Sequence, residues 1–95
     1  MITIKKSKDL ITISGHANYS EHGSDIVCAS VSSIAITTVN AIMKIDSEAI
    51  DFNEKDGFLE ISIKKNQKIV NILLNNMISL FEELESNYPD NIKIK

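Results

Sequence analysis

The chain has very little cysteine, and it lacks the features that mark a secreted protein. It holds one cysteine in 95 residues. A single thiol excludes an internal disulfide framework and is typical of proteins from the reducing cytoplasm. The N-terminus lacks the basic region followed by an apolar run that marks a secretory signal. We therefore expect a cytoplasmic protein with one chemically distinctive sulfur.

The chain also lacks a basic excess. Ten lysines stand against thirteen acidic residues, which gives a formal net charge of −3. Proteins whose main partner is a nucleic acid usually carry a basic patch, so we expect no direct nucleic-acid binding. Ninety-five residues fit one domain with a modest hydrophobic core, and we expect residues 1–95 to form a single unit.

One uncharged run, over residues 26–43, approaches the length of a membrane-spanning helix. Six hydroxyl or amide side chains interrupt it, namely Ser30, Ser32, Ser33, Thr37, Thr38 and Asn40. Its hydrophobicity is therefore too low for a helix that faces lipid. The sequence predicts a buried core helix and no membrane association.

Apolar periodicity predicts five strands and two helices. Alternation indicates strands at 2–5, 10–14, 50–52, 58–64 and 92–95, with turn chemistry at 54–57. Helical spacing indicates helices over 25–46 and 66–87. The order ββαββαβ predicts a two-layer α+β domain in which two helices pack on a mixed or antiparallel sheet.

The two predicted helices differ in how their apolar residues are distributed. The second has one stripe, formed by Ile69, Ile72, Leu73, Met77, Leu80, Phe81 and Leu84. The first has one face formed by Val27, Val31, Ile34, Thr38, Ile42 and Ile45, and other apolar residues, including Ile36, Val39 and Met43, occupy much of the remainder. Such a helix needs cover on more than one side, so we expect a homodimer.

The reactive side chains are concentrated in residues 15–29, GHANYSEHGSDIVCA. The order of residues before Cys28 predicts a loop over 18–24 that enters a helix, with Ser24 or Asp25 as the cap. A thiol in the first helical turn would face unpaired N–H groups and the positive end of the helix dipole, which favour the thiolate. His16 ends a predicted strand, where the loop can return it to the sulfur. The stretch predicts a cysteine–histidine catalytic pair.

Other interpretations of the same stretch remain open from the residues alone. A lone cysteine beside an apolar helix is more often a small buried hydrophobe. Cys28, His16 and His22, with Glu21 or Asp25, offer the ligands of a metal site. Their spacing matches no C-x-x-C or H-x-x-x-H pattern, and we expect neither a metal nor a cofactor.

Two parts of the stretch, GHA at 15–17 and G-x-DIVCA at 23–29, resemble the signature of the ribosomal-processing cysteine protease family. The resemblance implies Cys28 as the nucleophile and His16 as the general base. It places Asp25 and Ser32 near the site, with Gly23 in the loop before it. Asp25 either orients His16 or only caps the helix, and His22 matches no catalytic position of the family.

The resemblance also implies a substrate and an assembly. Members of this family remove the N-terminal extension of a large-subunit ribosomal protein, of the bL27 type, and form homodimers with a loop that opens for the substrate. Phenylalanines just before the cut call for an apolar groove, and we expect its walls at 18–23 and at the neighbouring strand edges. The alternative is a non-enzymatic, ribosome-associated binding domain of the same fold.

Overall fold

The computed structural model describes residues 1–15 and 22–95, and for residues 22–25 it describes the backbone alone. The described part contains five strands and two helices in the predicted order ββαββαβ. These elements are β1 (Ile2–Lys6), β2 (Leu10–Ser14), α1 (His22–Ile45), β3 (Ile50–Lys55), β4 (Phe58–Ile63), α2 (Lys68–Asn87) and β5 (Ile92–Ile94).

The five strands form one mixed sheet in the order β3-β4-β2-β1-β5. All neighbouring strands are antiparallel except β1 and β5, which are parallel. Both helices pack on this sheet, so the predicted two-layer α+β fold is confirmed. Alternation explains the layering, because every second side chain of a strand points to the same side. The buried strand residues are Ile2, Ile4, Ile11, Ile13, Ile50, Leu59, Ile61 and Ile92.

Helix α1 begins three residues earlier than predicted, so Ser24 and Asp25 lie within it and neither is its cap. Glycine at position 23 costs a helix only about 1 kcal/mol relative to alanine, and a long helix forms cooperatively. The predicted loop therefore ends before His22. The residues between Gly15 and His22 lie outside the described part of the chain.

The buried face of α1 is Val27, Val31, Ala35, Thr38, Val39 and Ile42. It differs from the predicted face, because Ile34 is only half-buried and Ile45 is 47% exposed. Spacing cannot identify the sheet-facing stripe of a helix that is apolar on nearly all sides. Residues Ile26–Ile45 are apolar enough by length and composition to span a bilayer, but their inner face belongs to the core, as expected of a core helix.

Helix α2 begins two residues later than predicted, after Gln67 in an extended conformation. Its core stripe is Val70, Leu74, Met77 and Phe81. The prediction was wrong for Ile69 and Ile72, which are 48% and 55% exposed. At the N-terminal end of α2 the buried residues are Val70 and Leu74, each one position after the predicted Ile69 and Leu73. A shift of one residue corresponds to a rotation of about 100° about the helix axis.

The hairpin between β3 and β4 is tighter than its turn chemistry predicts. Strand β3 continues to Lys55, which pairs with Phe58, and the turn itself is only Asp56 and Gly57. Strand β4 ends at Ile63, one residue before the predicted end. The charged residues 54 and 55 therefore belong to an edge strand of the sheet.

Candidate active site

A cleft of about 560 Å³ lies at the end of the sheet where β2 ends and β4 begins. Its base is apolar and is formed by Ile2, Ile13, Val31 and Leu59. One wall is the N-terminal half of α1, which contributes Cys28 and Ser32. The opposite wall is the end of β3 and the turn into β4, with residues 54–58.

Cys28 lies between this cleft and the core. Its side chain is half-buried, carries no disulfide and packs against the core cluster. Because the next turn of α1 directs Val31 inward, Cys28 stands at the edge of the buried face with its sulfur beside the cleft. A thiol in this position is both supported by the core and open to a ligand.

The structure corrects the reason for expecting a reactive thiol. Cys28 is the seventh residue of α1 and therefore lies in the second turn. Only the first four N–H groups of a helix lack a partner within it, and the influence of the dipole falls off within the first turn. The position of Cys28 in the helix therefore does not supply the effect that the sequence predicts for a thiol in the first turn.

Ser32 lies one helical turn after Cys28 and lines the same cleft. Residues four apart on a helix share a face, so Ser32 and Cys28 lie on the same side of α1. Ser32 is exposed, and within the described part of the chain its hydroxyl has no hydrogen-bond partner. It is free to bond to a ligand that enters the cleft.

Gly15 holds the end of β2 in a conformation that only glycine adopts easily. Its φ is +87°, and a Cβ at this position would collide with the carbonyl oxygen of Met1. Its N–H donates a hydrogen bond of 2.9 Å to the carbonyl oxygen of Gly57 in the β3–β4 turn. The chain thus leaves the sheet at the cleft, directly before His16.

Several predicted site residues are not tested by the structure. His16 lies outside the described residues, and so do residues 17–21 of the predicted loop. The backbone of Gly23 and Asp25 belongs to the first turn of α1, but their side chains are not described. The described residues contain no metal-binding group of histidine, cysteine and acidic side chains, but the predicted ligand set includes residues beyond them.

Sequence reasoning missed the β3–β4 wall of the cleft. Residues 54–57 have clear turn chemistry, but nothing local to them indicates that the turn lies beside Cys28. That proximity follows from the pairing of β2 with β4, which places Ser14 opposite Phe58. Such a long-range strand pairing cannot be read from the hydrophobic pattern of either strand alone.

Comparison with known proteins identifies the family of the chain. A family model described as cysteine protease Prp matches residues 1–93. The ribosomal processing cysteine protease Prp of Staphylococcus aureus is 34% identical over 87 residues, which cover 88% of this chain and 82% of that protein. The protein of the same name from Bacillus subtilis is 30% identical over 103 residues, covering 97% and 92%.

Solved structures of relatives share the whole architecture. The Staphylococcus aureus ribosomal processing protease Prp, solved in complex with a covalently linked product peptide, has a TM-score of 0.86 and 32% identity. The match covers all of this chain and 98% of that one. The protein SMU.848 from Streptococcus mutans has a TM-score of 0.78 at 26% identity, covering 99% of this chain and 90% of that one.

Proposed function

The chain belongs to the cysteine protease Prp family, and we propose that it is the endopeptidase that removes the N-terminal extension of a large-subunit ribosomal protein of the bL27 type. One observation carries the proposal. The only cysteine of the chain lies half-buried in the wall of a cleft that is large enough for a peptide segment. In this position Cys28 is accessible to a peptide bound in the cleft.

In the proposed reaction, Cys28 is the nucleophile and His16 the general base. His16 accepts the thiol proton, and the sulfur attacks the scissile carbonyl carbon. The tetrahedral intermediate expels the amine of the C-terminal product, which takes the proton from His16. Water activated by His16 then hydrolyses the thioester and regenerates the thiol. The position of Gly15 supports this assignment, because the residue directly before His16 lines the cleft and its N–H is bonded to the β3–β4 turn.

Three further residues have supporting roles in the proposal. Ser32 donates a hydrogen bond to the bound peptide from one turn beyond Cys28, and its exposed hydroxyl on the cleft supports that role. Asp25 orients His16, and Gly23 admits the peptide at the start of α1. No cofactor enters the mechanism, because the thiol and the imidazole supply the nucleophile and both proton transfers.

The base of the cleft supports an apolar residue before the cut. Ile13 and Leu59 are more than nine-tenths buried, and Phe58 is half-buried beside them. An aromatic side chain of the peptide that packs on this surface stabilises the complex, by about 25 cal/mol for each Å² of its apolar area removed from water. Phenylalanines in the extension of the substrate fit this surface.

The test is cleavage of a synthetic peptide that spans the extension and the start of the mature ribosomal protein, with products identified by mass spectrometry. We expect a single cut by the wild-type chain and no cut by Cys28→Ala. Cys28→Ser is the matched control for shape, and it should retain the fold with little or no activity. Undiminished cleavage by Cys28→Ala would overturn the proposal, and no cleavage by the wild-type chain would favour a ribosome-associated binding domain instead.

We also propose that the protein is a cytoplasmic homodimer paired through α1. After the core is formed, α1 still exposes 42% of Ile26 and 40% of Met43, which lie away from its buried face. A two-fold pairing would cover the same apolar patch on both subunits. The structure distinguishes a residue that can test the interface from one that belongs to the core. Met43 is 40% exposed, whereas Val39 is only 4% exposed.

Light scattering over a dilution series measures the assembly. Met43→Lys should shift the wild-type dimer toward monomer with the fold intact, whereas Val39→Asp should unfold the chain because it buries an unpaired charge. A wild-type protein that remains monomeric at high micromolar concentration would exclude the dimer.

A further inference from the structure

One carboxylate occupies a place in the sheet where an apolar residue is expected. Strand pairing joins Glu54 to Leu59, Leu59 to Ile13, Ile13 to Ile4, and Ile4 to Ile94. Directly paired residues project to the same side of a sheet, so Glu54 ends a row of four apolar residues that face the helices. The other helix-facing residues of β3 are Ile50 and Phe52.

Only one other charged residue lies on the helix-facing side of the described strands, and it is satisfied. Lys6 is in the neighbouring row, with Ile11, Ile61 and Phe52, and lies on β1, three strands away from β3. Its Nζ donates a hydrogen bond of 3.1 Å to Oδ1 of Asn75 on α2. Glu54 has no side-chain hydrogen bond or ion pair within the described part of the chain. The two inward charges therefore differ in whether the fold itself supplies a partner.

Glu54 is exposed and lines the same cleft as Cys28. Its neighbours in the row, Leu59 and Ile13, form part of the apolar base of that cleft. Among the described residues that line the cleft, Glu54, Lys55 and Asp56 are charged and their formal charges sum to −1. Of the two that belong to β3, only Glu54 lies on the side of the sheet that faces the helices. An ion pair beside apolar surface is screened less than one surrounded by water.

We propose that Glu54 is a specificity-determining residue that receives a cationic side chain of the peptide substrate, a lysine or arginine close to the scissile bond. This assignment rests on the proposed peptidase function. It makes the preferred substrate a peptide with two features: an apolar residue for the base of the cleft and a positive charge for its β3 wall.

A different role must be separated by experiment. β3 is an edge strand, and an inward-pointing charge on an edge strand protects a sheet from pairing with another sheet. A carboxylate that serves only this purpose would suppress self-association and would be indifferent to the charge of a bound peptide. The two roles therefore predict different responses to the same substitution.

Binding is measured on the Cys28→Ala chain, so that cleavage does not interfere. A short fluorescent peptide with two phenylalanines carries lysine, glutamine or glutamate at each of its other positions in turn, and anisotropy gives Kd. At one position or more, lysine should bind about three- to fivefold more tightly than glutamine, the range expected of a partly exposed ion pair. Glu54→Gln should remove this preference, and Glu54→Lys should transfer it to glutamate.

Glu60→Gln is the matched control. Glu60 lies on the next strand, where it pairs with Thr12 and Asn53 and so projects to the other side of the sheet. This variant should keep the lysine preference. An equal lysine-to-glutamine ratio before and after Glu54→Gln would overturn the proposal, and if that variant also self-associated in light scattering, edge protection would be its role.

The result also separates this proposal from the peptidase assignment. If the wild-type chain cleaves peptides but the lysine preference does not depend on Glu54, the proposal is wrong and the peptidase function stands. If the preference depends on Glu54 and the wild-type chain cleaves nothing, the peptidase assignment is wrong and the binding role stands.

Discussion

Polar side chains at the two ends of the sheet differ in whether the fold supplies hydrogen-bond partners for them. At the end away from the cleft, Asp46 accepts hydrogen bonds from the Glu48 N–H at 2.9 Å, from Lys65 Nζ at 3.0 Å and from Gln67 Nε2 at 2.8 Å. At the cleft end, Ser32 and Glu54 have no side-chain partner among the described residues. About 27 Å of helix separates Asp46 from Cys28.

This difference indicates that polar groups at one end of the sheet maintain the fold and that those at the cleft end are suited to bind a ligand. Polar groups that maintain a fold are bonded within it, because an unsatisfied group would cost stability. Asp46 is a clear example, since its bonds tie the end of α1 to the segments that precede β3 and α2. Exposed polar groups that the fold does not bond, around an apolar base, are suited to bind a ligand.

The substitution with the largest expected effect on stability and activity is at Gly15, at the cleft end. Gly15→Ala places a side chain at φ +87° and against the carbonyl of Met1, so we expect a loss of about 1–3 kcal/mol in the free energy of unfolding. Because this residue precedes His16, kcat/KM should fall by about 10- to 100-fold even where the protein is folded. Urea unfolding and peptide cleavage measure the two losses.

A Gly15→Ala variant that stays folded with full activity would show that this end of β2 does not position the site. Ser14→Ala is a suitable control, since it changes the preceding residue, which pairs with Thr3 and Phe58, without altering the glycine. That control should keep both stability and activity close to the wild-type values.

A smaller effect is expected at Ser32. Ser32→Ala removes a hydroxyl that the fold does not bond, so stability should be unchanged while kcat/KM falls by about 3- to 10-fold, the worth of one hydrogen bond. Ser33→Ala is the matched control, because Ser33 lies on the neighbouring surface between α1 and α2 rather than in the cleft. Equal activity of the two variants would remove Ser32 from the site.

The smallest effect on activity is expected at Asp46. The N–H of Glu48, then Lys65 and Gln67, lower the pKa of Asp46 from 3.8 to about 2. A carboxylate with a lowered pKa stabilises the fold above its unfolded pKa, and this contribution disappears as the pH falls toward the folded pKa. Asp46→Asn should therefore lower Tm slightly near pH 7 and leave kcat/KM unchanged.

The pH dependence provides the check on that assignment. The Tm difference between wild type and Asp46→Asn should stay constant down to about pH 4 and close between pH 4 and about pH 2. A difference that persists at pH 2 would mean that the charge of Asp46 is not what stabilises this end.

The sequence predicts the fold better than it predicts the site. Alternation and helical spacing identify all seven elements, because burial of one side of each strand and helix determines the pattern. The stripes of α1 and α2 are less well predicted, as Ile45 and Ile72 show, since α1 is apolar on nearly all sides and α2 has consecutive apolar residues at 72–74. The turn before Phe58 lies at the same cleft as Cys28 because β2 pairs with β4, and no local sequence pattern encodes that pairing.

The motif singles out Cys28 but supplies no physical reason why its sulfur should be reactive. Cys28 was expected in the first turn of the helix, and it lies in the second. The family resemblance assigns Cys28 and His16 from the spacing of their motifs, whereas the physical case for the pair depends on where the imidazole lies relative to the sulfur. Chemistry therefore tests this assignment more directly than sequence does.

The most direct measurement is to trap the acyl-enzyme. The wild-type chain is mixed with the extension peptide, quenched in acid during turnover and analysed by intact-protein mass spectrometry. We expect an added mass equal to the N-terminal fragment of the peptide, attached to Cys28, labile to hydroxylamine and absent from Cys28→Ala. Continued turnover with no adduct in the wild-type chain, and cleavage that persists in Cys28→Ala, would contradict this expectation.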